Sequence, residues 1–448
     1  MGYEHCVMFL LLTALAIATD RQEPVYPPWV LSGLRVEPAG GMRIRVTAGE
    51  AEIMRRRIGF PETLLELTPS PTITVTDEKL VLADEKPQSW FAGTSLRECT
   101  CFPGGGGTPL PYCLAPHSVR VKKAPGDGPA YEEGRDFLVD HDWGKLGRIP
   151  GGAIGEGQEV FVDYAYRLAR LDSIALSQDG RVLLVRGPAR KTCPPPPELD
   201  DGTVRLANVL VWYGTTEIKP GLIFPCGPDY PEPSEEERAE RQKAVAHTLE
   251  KLRAGGDVVV CSWGDSVTAG GDAIPTEMAF PWAFARALRE KYPQARVKLI
   301  NAGIGGSSTP GRLPHLDTEV LAHKPDLVTI EFVNDCGLPA ETVLSNWRQA
   351  VARIKAAGAD VILITPHLVM PPWMGWTYED MWGRDNRAAV ELMRQVARET
   401  NVGLADVARR WEHLCQEGLP YVTLLWNGIN HPDNRGHELF VRELMTFF

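Results

Sequence analysis

The chain has 448 residues, more than one hydrophobic core usually supports, so two or three domains are expected. Its composition, 44% hydrophobic and 23% charged, is typical of a globular protein, and no apolar stretch is long enough to span a bilayer. The formal net charge is −11 and there is no long basic run. These features argue against a nucleic-acid partner, which would require a cationic surface.

The first twenty residues form a candidate signal or leader segment. The run "CVMFLLLTALAIATD" is apolar, and Ala16–Ala18 could serve as a small-residue cleavage site. However, Met1–His5 contains no Lys or Arg, so the basic part of a secretory signal is missing. A cleaved leader would make the protein secreted or periplasmic. A buried first strand, or a misassigned start codon, would leave it cytoplasmic.

Residues 21–228 are predicted to be rich in β-structure, with a division near residue 90. This division gives a β-rich region (21–90) and a β-rich accessory domain (91–228). Alternation of apolar and polar residues with a period of two, broken by Gly/Pro turns, predicts the strands. The segments that carry this pattern are "MRIRVTAGEAEI", "TITVTDEKLVL", "HSVRVKKA", "EVFVDYAYRLARLDSIAL", "GRVLLVRG" and "TVRLANVLVWYG".

Four potential metal ligands lie close together in "ECTCFPGGGGTPLPYCLAPH": Cys99, Cys101, Cys113 and His117. A metal site is conceivable there, but the spacing is not that of a standard zinc motif. The nine cysteines of the chain are too scattered for a dense disulfide framework. We therefore favour ordinary loop packing, with at most one disulfide, and predict no metal and no organic cofactor.

A charged helix predicts the entry to a C-terminal domain, residues 229–448. Ser234, with Glu237 three residues later, is a capping-box signature at its start. Lys251 and Arg253 occupy its last turn, and Gly255–Gly256 ends it. We expect residues 230–448 to fold on their own.

From Asp257 onward, strands and helices are predicted to alternate. The predicted strands are Val258–Trp263, Val297–Ala302, Leu327–Val333, Val361–Thr365 and Gly403–Val407. The predicted helices are Pro281–Tyr292, Leu316–Ala322, Pro339–Ala357, Asn386–Thr400 and Arg435 to the end. This alternation indicates a parallel sheet covered on both faces, with reactive groups at the carboxyl ends of its strands.

Polar residues that could carry nucleophilic catalysis follow these strands. Ser266 lies just after the first strand, and the glycine-rich "NAGIGGSSTPGR" follows the second. Asn334 follows the third strand, and His431 precedes the last helix. A serine hydroxyl needs a general base within hydrogen-bond reach and donors aimed at the developing oxyanion. These residues therefore predict a serine hydrolase; the alternative for Ser266 is a helix cap and for Asn334 a turn residue.

The order of these motifs resembles that of the SGNH/GDSL hydrolase superfamily over residues 235–448. The resemblance implies a flavodoxin-like three-layer sandwich around the parallel sheet, preceded here by the β-rich N-terminal region. It implies that Ser266 in "GDSVT" is the nucleophile and His431 in "NHPDNRGH" the general base. It also implies that Gly306 in "NAGIGG" and Asn334 in "VND" form the oxyanion hole.

One departure from the family concerns the acid of the triad. The family carries it three residues before the histidine, where this chain has Gly428. Asn427, a backbone carbonyl or a carboxylate from elsewhere, such as Asp433, could orient the imidazole instead. We interpret the site as a Ser–His dyad with a non-acidic orienter, with Asn427 as the candidate. A second departure is Phe332, where the family has a glycine two residues before the asparagine.

An aromatic stretch, "MPPWMGWTYEDMW", follows the fourth strand, and Trp373 and Trp376 could form a substrate wall for a sugar ring. The alternative is loop packing against the core. We therefore predict an esterase that removes a short acyl group, most simply acetyl, from a small-molecule or polysaccharide ester. A lipid esterase or thioesterase would fit the same residues. The other class is a binding or structural protein whose catalytic domain is weakened by the missing acid.

Overall fold

The computed structural model describes residues 21–448, so the candidate leader at residues 1–20 lies outside the described residues. Within the described part of the chain, no helix has the length and apolar character needed to cross a membrane. The chain forms two regions, named here the β region (residues 21–228) and the C-terminal region (residues 229–448).

The β region contains five small sheets of three or four strands, whose neighbouring strands are antiparallel. The strands are β1 (Val30–Ser32), β2 (Val36–Pro38), β3 (Arg43–Val46), β4 (Gly49–Ile53), β5 (Arg56–Phe60), β6 (Thr63–Glu66), β7 (Thr72–Val81), β8 (Thr94–Ser95), β9 (Arg120–Lys122), β10 (Phe137–Asp140), β11 (Lys145–Arg148), β12 (Glu159–Arg167), β13 (Arg170–Ser177), β14 (Val182–Val185), β15 (Thr203–Val211) and β16 (Ile223–Pro225). The β-rich character predicted from the alternation is confirmed.

The packing of these sheets does not follow a division near residue 90. Strand β7 pairs along its length with β12, so a cut at residue 90 would separate two strands of one sheet. One hydrophobic core joins residues 34–67 to residues 174–223, and another joins residues 80–164. We propose instead that residues 72–167 form one unit, inserted between the two chain segments of the other.

The C-terminal region is built around one parallel sheet of five strands: β17 (Asp257–Gly264), β18 (Arg296–Gly303), β19 (Leu327–Glu331), β20 (Asp360–Ile364) and β21 (Gly403–Ala405). Their order across the sheet is β18-β17-β19-β20-β21. The helices are α1 (Glu235–Lys243), α2 (Ala246–Arg253), α3 (Phe280–Lys291), α4 (Thr309–Arg312), α5 (Leu316–Glu319), α6 (Ala340–Ala356), α7 (Ala388–Thr400), α8 (Val407–His413) and α9 (Asn434–Met445). This order is the flavodoxin-like one, with a crossover that leaves a crevice at the strands' carboxyl ends.

Helices cover both faces of the sheet, because its strands are apolar on both sides. Val258 and Val260 of β17 pack in one core with α2, α3, α8 and α9. Cys261 and Trp263 pack in a second core with α6 and α7. The predicted three-layer sandwich is thereby confirmed.

The helix predicted from Ser234 to Gly255 is two helices, α1 and α2. The capping box is present: Ser234 accepts from the Glu237 amide, and the Glu237 carboxylate accepts from the Ser234 amide. The chain turns at Val245, whose backbone is non-helical and whose side chain is buried in the core. Burial of Val245 and Leu249 accounts for the turn that the charge pattern did not reveal.

The two regions share a hydrophobic core. Leu110, Leu171 and Phe224 of the β region belong to the same buried cluster as Phe284 and Trp411 of the C-terminal region. Phe224 stacks on Trp382 with ring centroids 5.3 Å apart and planes inclined by 14°. This continuity opposes the expectation that residues 230–448 fold alone.

Candidate active site

Ser266 lies on a tight turn that leaves the carboxyl end of β17. The amide of Ala269 donates to the Asp265 carbonyl at 2.9 Å, and the amide of Gly271 donates to the Ser266 carbonyl at 2.8 Å. A Cβ atom at Gly264 would lie 2.0 Å from Thr268 Oγ1, so the turn requires glycine there. The turn holds Ser266, which is half-buried, at the edge of the sheet.

Ser266, His431 and Asp272 form a hydrogen-bonded chain. Ser266 Oγ lies 2.9 Å from His431 Nε2, and His431 Nδ1 lies 2.6 Å from Asp272 Oδ2. A carboxylate only accepts hydrogen bonds, so Nδ1 carries the proton and Nε2 is free to accept from the serine hydroxyl. The geometry is that of a nucleophile, a general base and an acid that orients the base.

The expectation that the imidazole lacks a carboxylate partner is therefore wrong. Asp272 comes from the loop that also carries Ser266, not from the turn before His431. Asn427 does not contact the imidazole; its Oδ1 accepts from the amides of Ile429, Asn430 and His431, at 2.9 Å each. Asn427 thus shapes the loop that carries the histidine.

Asp433 is not the acid either. Its Oδ1 accepts from the Gly436 amide at 2.9 Å, which caps the start of α9, and its other oxygen pairs with Arg435. We name residues 425–433 the catalytic loop. The Asp433 carboxylate fixes the start of the helix that follows this loop.

The predicted oxyanion residues lie on the two loops beside Ser266. A Cβ atom on Gly305 would lie 4.0 Å from Ser266 Cβ, so the glycine-rich loop runs alongside Ser266. Gly306 has a φ of +69°, a conformation that glycine adopts without steric cost. Asn334 Nδ2 donates one hydrogen to the Ser307 carbonyl at 2.9 Å, and its amide group has a second hydrogen to donate.

Asp265 connects the nucleophile turn to the Asn334 loop. Its carboxylate accepts from the Val267 amide at 3.0 Å and from the Asn334 amide at 3.1 Å. Burial raises the pKa of Asp265 to about 6, although these two amides oppose the shift. Nearby Glu331 is fully buried, and burial together with the Asp265 charge holds its pKa well above the usual range.

Contacts from both regions hold the catalytic loop in place. His367 Nε2 donates to the Asn430 carbonyl at 2.8 Å, and burial lowers the pKa of this imidazole well below its usual value. Thr192 of the β region donates from Oγ1 to the carbonyls of Leu425 at 3.0 Å and Trp426 at 2.8 Å. Gly428 packs on Pro111 of the β region, where a Cβ atom would lie 3.1 Å from Pro111 Cδ.

The two predicted wall residues differ in their surroundings. Trp373 is 38% exposed, but Trp376 is only 7% exposed and its indole packs edge-on against Tyr421 at 5.8 Å. The prediction that Trp376 forms a substrate wall is wrong, because the loop after β20 folds back and buries this ring in the shared core.

The cysteine cluster is buried within the β region. The neighbouring Cys113 thiol and burial raise the pKa of Cys99 well above its usual value, and the Cys113 thiol donates to the Arg167 carbonyl at 3.5 Å. The His117 ring faces His141, with centroids 6.3 Å apart. In residues 21–448, no three His, Cys, Asp or Glu side chains are grouped so as to hold a metal ion.

Residues 262–439 match the family described as the GDSL-like lipase/acylhydrolase family. The C-terminal region contains a GDSL-like lipase/acylhydrolase domain. The match starts within β17 and ends within α9, so this GDSL-like domain includes the whole hydrogen-bonded chain. Residues 145–222, in the β region, match a domain of unknown function, DUF4815.

Two curated relatives are esterases. An arylesterase of Vibrio mimicus is 35% identical over 122 residues, which is 27% of this chain and 58% of that protein. An acetylxylan esterase of Geobacillus stearothermophilus is 23% identical over 203 residues, or 41% of this chain and 90% of that protein. The chain thus spans little more than half the length of the arylesterase.

Solved structures of two esterases also match. A two-domain esterase active on acetylated mannans has a TM-score of 0.38 and 21% identity, over 46% of this chain and 52% of that one. An acetylxylan esterase from Geobacillus stearothermophilus has a TM-score of 0.36 and 22% identity, over 42% of this chain and 92% of that one.

Proposed function

We propose that this chain is a serine ester hydrolase that removes a short acyl group, most simply acetyl, from a carbohydrate through an acyl-enzyme. The observation that carries the proposal is the chain of two short hydrogen bonds from Ser266 through His431 to Asp272. No part of this chemistry requires a metal or an organic cofactor.

In the first half of the reaction, Ser266 Oγ attacks the acyl carbon while His431 Nε2 takes its proton. The carbonyl oxygen becomes an oxyanion, which the amides of Ser266 and Gly306 and the side-chain amide of Asn334 would stabilise. Loss of one such donor costs about 10²- to 10³-fold in a serine protease. The imidazolium, stabilised by Asp272, then protonates the leaving alcohol as the C–O bond breaks.

In the second half, water attacks the acyl-enzyme and His431 takes a proton from it. Collapse of the second tetrahedral intermediate returns this proton to Ser266 Oγ and releases the carboxylic acid. Asp265 supports both halves, because its carboxylate holds the amides of Val267 and Asn334 and so fixes the nucleophile relative to the oxyanion donor.

The carbohydrate substrate is supported by the acetylxylan esterase among the relatives and by the exposed indole of Trp373. Sugar rings present apolar C–H faces that stack on such rings. The alternative of a binding protein with a weakened catalytic domain rested on the missing acid, and Asp272 removes that reason.

The test compares hydrolysis of p-nitrophenyl acetate, butyrate and octanoate, and acetate release from acetylated xylan, by wild type and Ser266→Ala. We expect fastest turnover on the acetate ester, and a loss of about 10⁴-fold or more in Ser266→Ala. Ser345→Ala, an exposed serine on α6, serves as the matched control and should retain full activity. A folded Ser266→Ala protein with near-normal turnover would contradict the proposal, and fastest hydrolysis of the octanoate ester would favour a lipid esterase.

A further inference from the structure

Four aromatic rings cluster on the surface where the two regions meet. Trp90 is at the centre, with ring centroids 5.7 Å from Phe91, 5.5 Å from Trp143 and 5.3 Å from Trp373. Trp90, Phe91 and Trp373 are 41%, 55% and 38% exposed. We call these four residues the aromatic platform. Exposed apolar side chains that are grouped into one patch, unlike singly scattered ones, are a feature of interaction surfaces.

The platform is held rigidly in place by hydrogen bonds. The Trp90 carbonyl accepts from the buried ammonium group of Lys145 at 3.2 Å, and the Ser89 amide donates to the Asp140 carboxylate at 2.8 Å. Gln88 and Ala92 exchange two backbone hydrogen bonds, which close the turn that presents Trp90 and Phe91. These bonds fix the backbone of the turn before a ligand arrives, which lowers the entropic cost of ordering this turn on binding.

Two short chain paths connect the platform to the catalytic loop. On one path, the Met370 amide donates to the Ile429 carbonyl at 2.7 Å, and the Trp373 amide donates to the Met370 carbonyl at 3.0 Å. On the other path, Pro111 touches Gly428, and the Tyr112 amide donates to the carbonyl of Asp142 at 2.6 Å, one residue before Trp143. The backbone that carries Trp373 and the backbone that precedes Trp143 are thus each joined to the loop that carries His431.

Polar groups that suit sugar hydroxyls line a cavity at Tyr112, whose amide is bound to the carbonyl that precedes Trp143. Tyr112, which is 37% exposed, lines a cavity of about 370 Å³ together with Tyr378 and Trp212. Thr215, Glu217 and Lys219 provide donors and acceptors in the same cavity. Flat aromatic rings combined with a few polar side chains form the surface that a saccharide, with its apolar faces and hydroxyl edges, can use.

We propose that Trp90, Phe91, Trp143 and Trp373 bind the saccharide chain of the polymeric ester beside the residue whose acyl group Ser266 removes. This proposal rests on the proposed function, and it extends the substrate site onto the β region. Residues of a polymer that flank the bound ester have this platform within reach, whereas a small ester does not need it.

The first experiment measures binding without catalysis, in the full-length Ser266→Ala protein. Native gels containing deacetylated xylan or glucomannan should retard this protein, and Ser266→Ala/Trp90→Ala should lose the retardation. Ser266→Ala/Trp90→Tyr, which keeps an aromatic face, should be retarded to an intermediate extent. The control Ser266→Ala/Leu64→Ala changes an exposed apolar side chain elsewhere in the β region and should be retarded fully.

The second experiment measures the ratio of kcat/KM on acetylated xylan or glucomannan to kcat/KM on p-nitrophenyl acetate. In Trp90→Ala and Trp373→Ala this ratio should fall at least tenfold, mainly through KM for the polymer, and in Leu64→Ala it should stay at the wild-type value. The proposal would be overturned if this ratio of kcat/KM values were unchanged in both tryptophan variants. It would also be overturned if neither polysaccharide gel retarded the Ser266→Ala protein.

Two further outcomes separate the alternatives. A wild-type dimer that Trp90→Ala converts into a monomer, without effect on retardation, would assign the rings to self-association and overturn the proposal. Failure of the wild type to hydrolyse p-nitrophenyl acetate would refute the proposed function. The gels with Ser266→Ala would still decide whether the platform binds saccharide.

Discussion

The two regions of the chain use β-structure differently. The C-terminal region has one parallel sheet of five strands, and each reactive side chain lies on a loop near one end of it. The β region divides its strands among five small sheets with two separate cores. The single sheet brings Ser266, His431 and Asp272 together at the carboxyl ends of its strands. The five small sheets of the β region are joined by turns and loops, some of which contact the C-terminal region.

The contacts between the regions show what this difference means for the site. The β region contacts the catalytic loop through Thr192 and Pro111, and it shares a buried core with the GDSL-like domain. Its turns also present Trp90 and Trp143. Ser266, His431 and Asp272 all lie in one region, but the contacts that hold the loop of His431 come from both regions.

The largest effect is expected from separating the regions. Residues 229–448 expressed alone should be insoluble or loosely packed and inactive on p-nitrophenyl acetate, because Trp382 and the rest of the shared core would be exposed to water. Coexpression of residues 21–228 as a second chain should restore solubility and activity. A soluble fragment with cooperative unfolding and wild-type turnover would mean that the β region is a dispensable addition.

The next effect concerns the acid. Asp272→Asn should lower kcat by about 10³- to 10⁴-fold, since it removes the anion that stabilises the imidazolium and favours the wrong tautomer. Asp433→Asn is the matched control: asparagine also caps helices well, so kcat should change little. Near-wild-type kcat in a folded Asp272→Asn protein would refute the role of Asp272 in orienting His431.

A moderate effect is expected at the contact between Gly428 and Pro111. Gly428→Ala places a side chain at a φ of +68° and against Pro111, so it should lower the free energy of unfolding by about 1–2 kcal/mol. It should also lower kcat by about tenfold because the histidine loop shifts. Gly358→Ala has a φ of +87° with no neighbour within 4 Å, so it should cost stability without loss of turnover. Equal turnover in both variants would show that this contact does not position His431.

The smallest effect concerns pH. The pKa of Glu331 is raised by burial, so the folded protein keeps its proton over a range in which the unfolded chain has lost it. This contribution to stability is present below pH ~4.5 and is lost as pH rises toward the raised pKa. Unfolding free energies at pH 5 and pH 8 should therefore fall more for wild type than for Glu331→Gln, and parallel values would contradict the shift. At pH 7 the activity of Glu331→Gln should stay within about twofold, because glutamine resembles the neutral acid.

Most of the fold of the C-terminal region could be predicted from sequence patterns. The strands and the principal helices of the parallel sheet lie close to their predicted bounds, because continuous Val/Ile/Leu strands and amphipathic helices are determined by local spacing. The division of the predicted helix at Val245 was not predictable in this way, since it depends on the burial of Val245 against other elements. Trp376 was misjudged for the same reason.

The acid was missed because no motif marks it. Asp272 follows Gly270 and Gly271 in the loop after Ser266, and only the three-dimensional path of that loop brings it to His431. The local sequence signal is the pair of glycines directly before the acid. Glycine is needed at position 271 because a Cβ atom there would lie 2.8 Å from His431 Cε1. Trp90, Phe91 and Trp143 were missed because their two chain segments meet each other, and Trp373, only in the folded protein.

Gly428 and Asp272 together show where a carboxylate can reach His431 in this chain. An aspartate at position 428, where the superfamily carries its acid, would meet both a positive φ and Pro111 of the β region. A carboxylate at position 428 would therefore strain the loop that carries His431, whereas Asp272 reaches the imidazole from the loop after Ser266. In this chain the position of the acid and the packing between the two regions are thus linked.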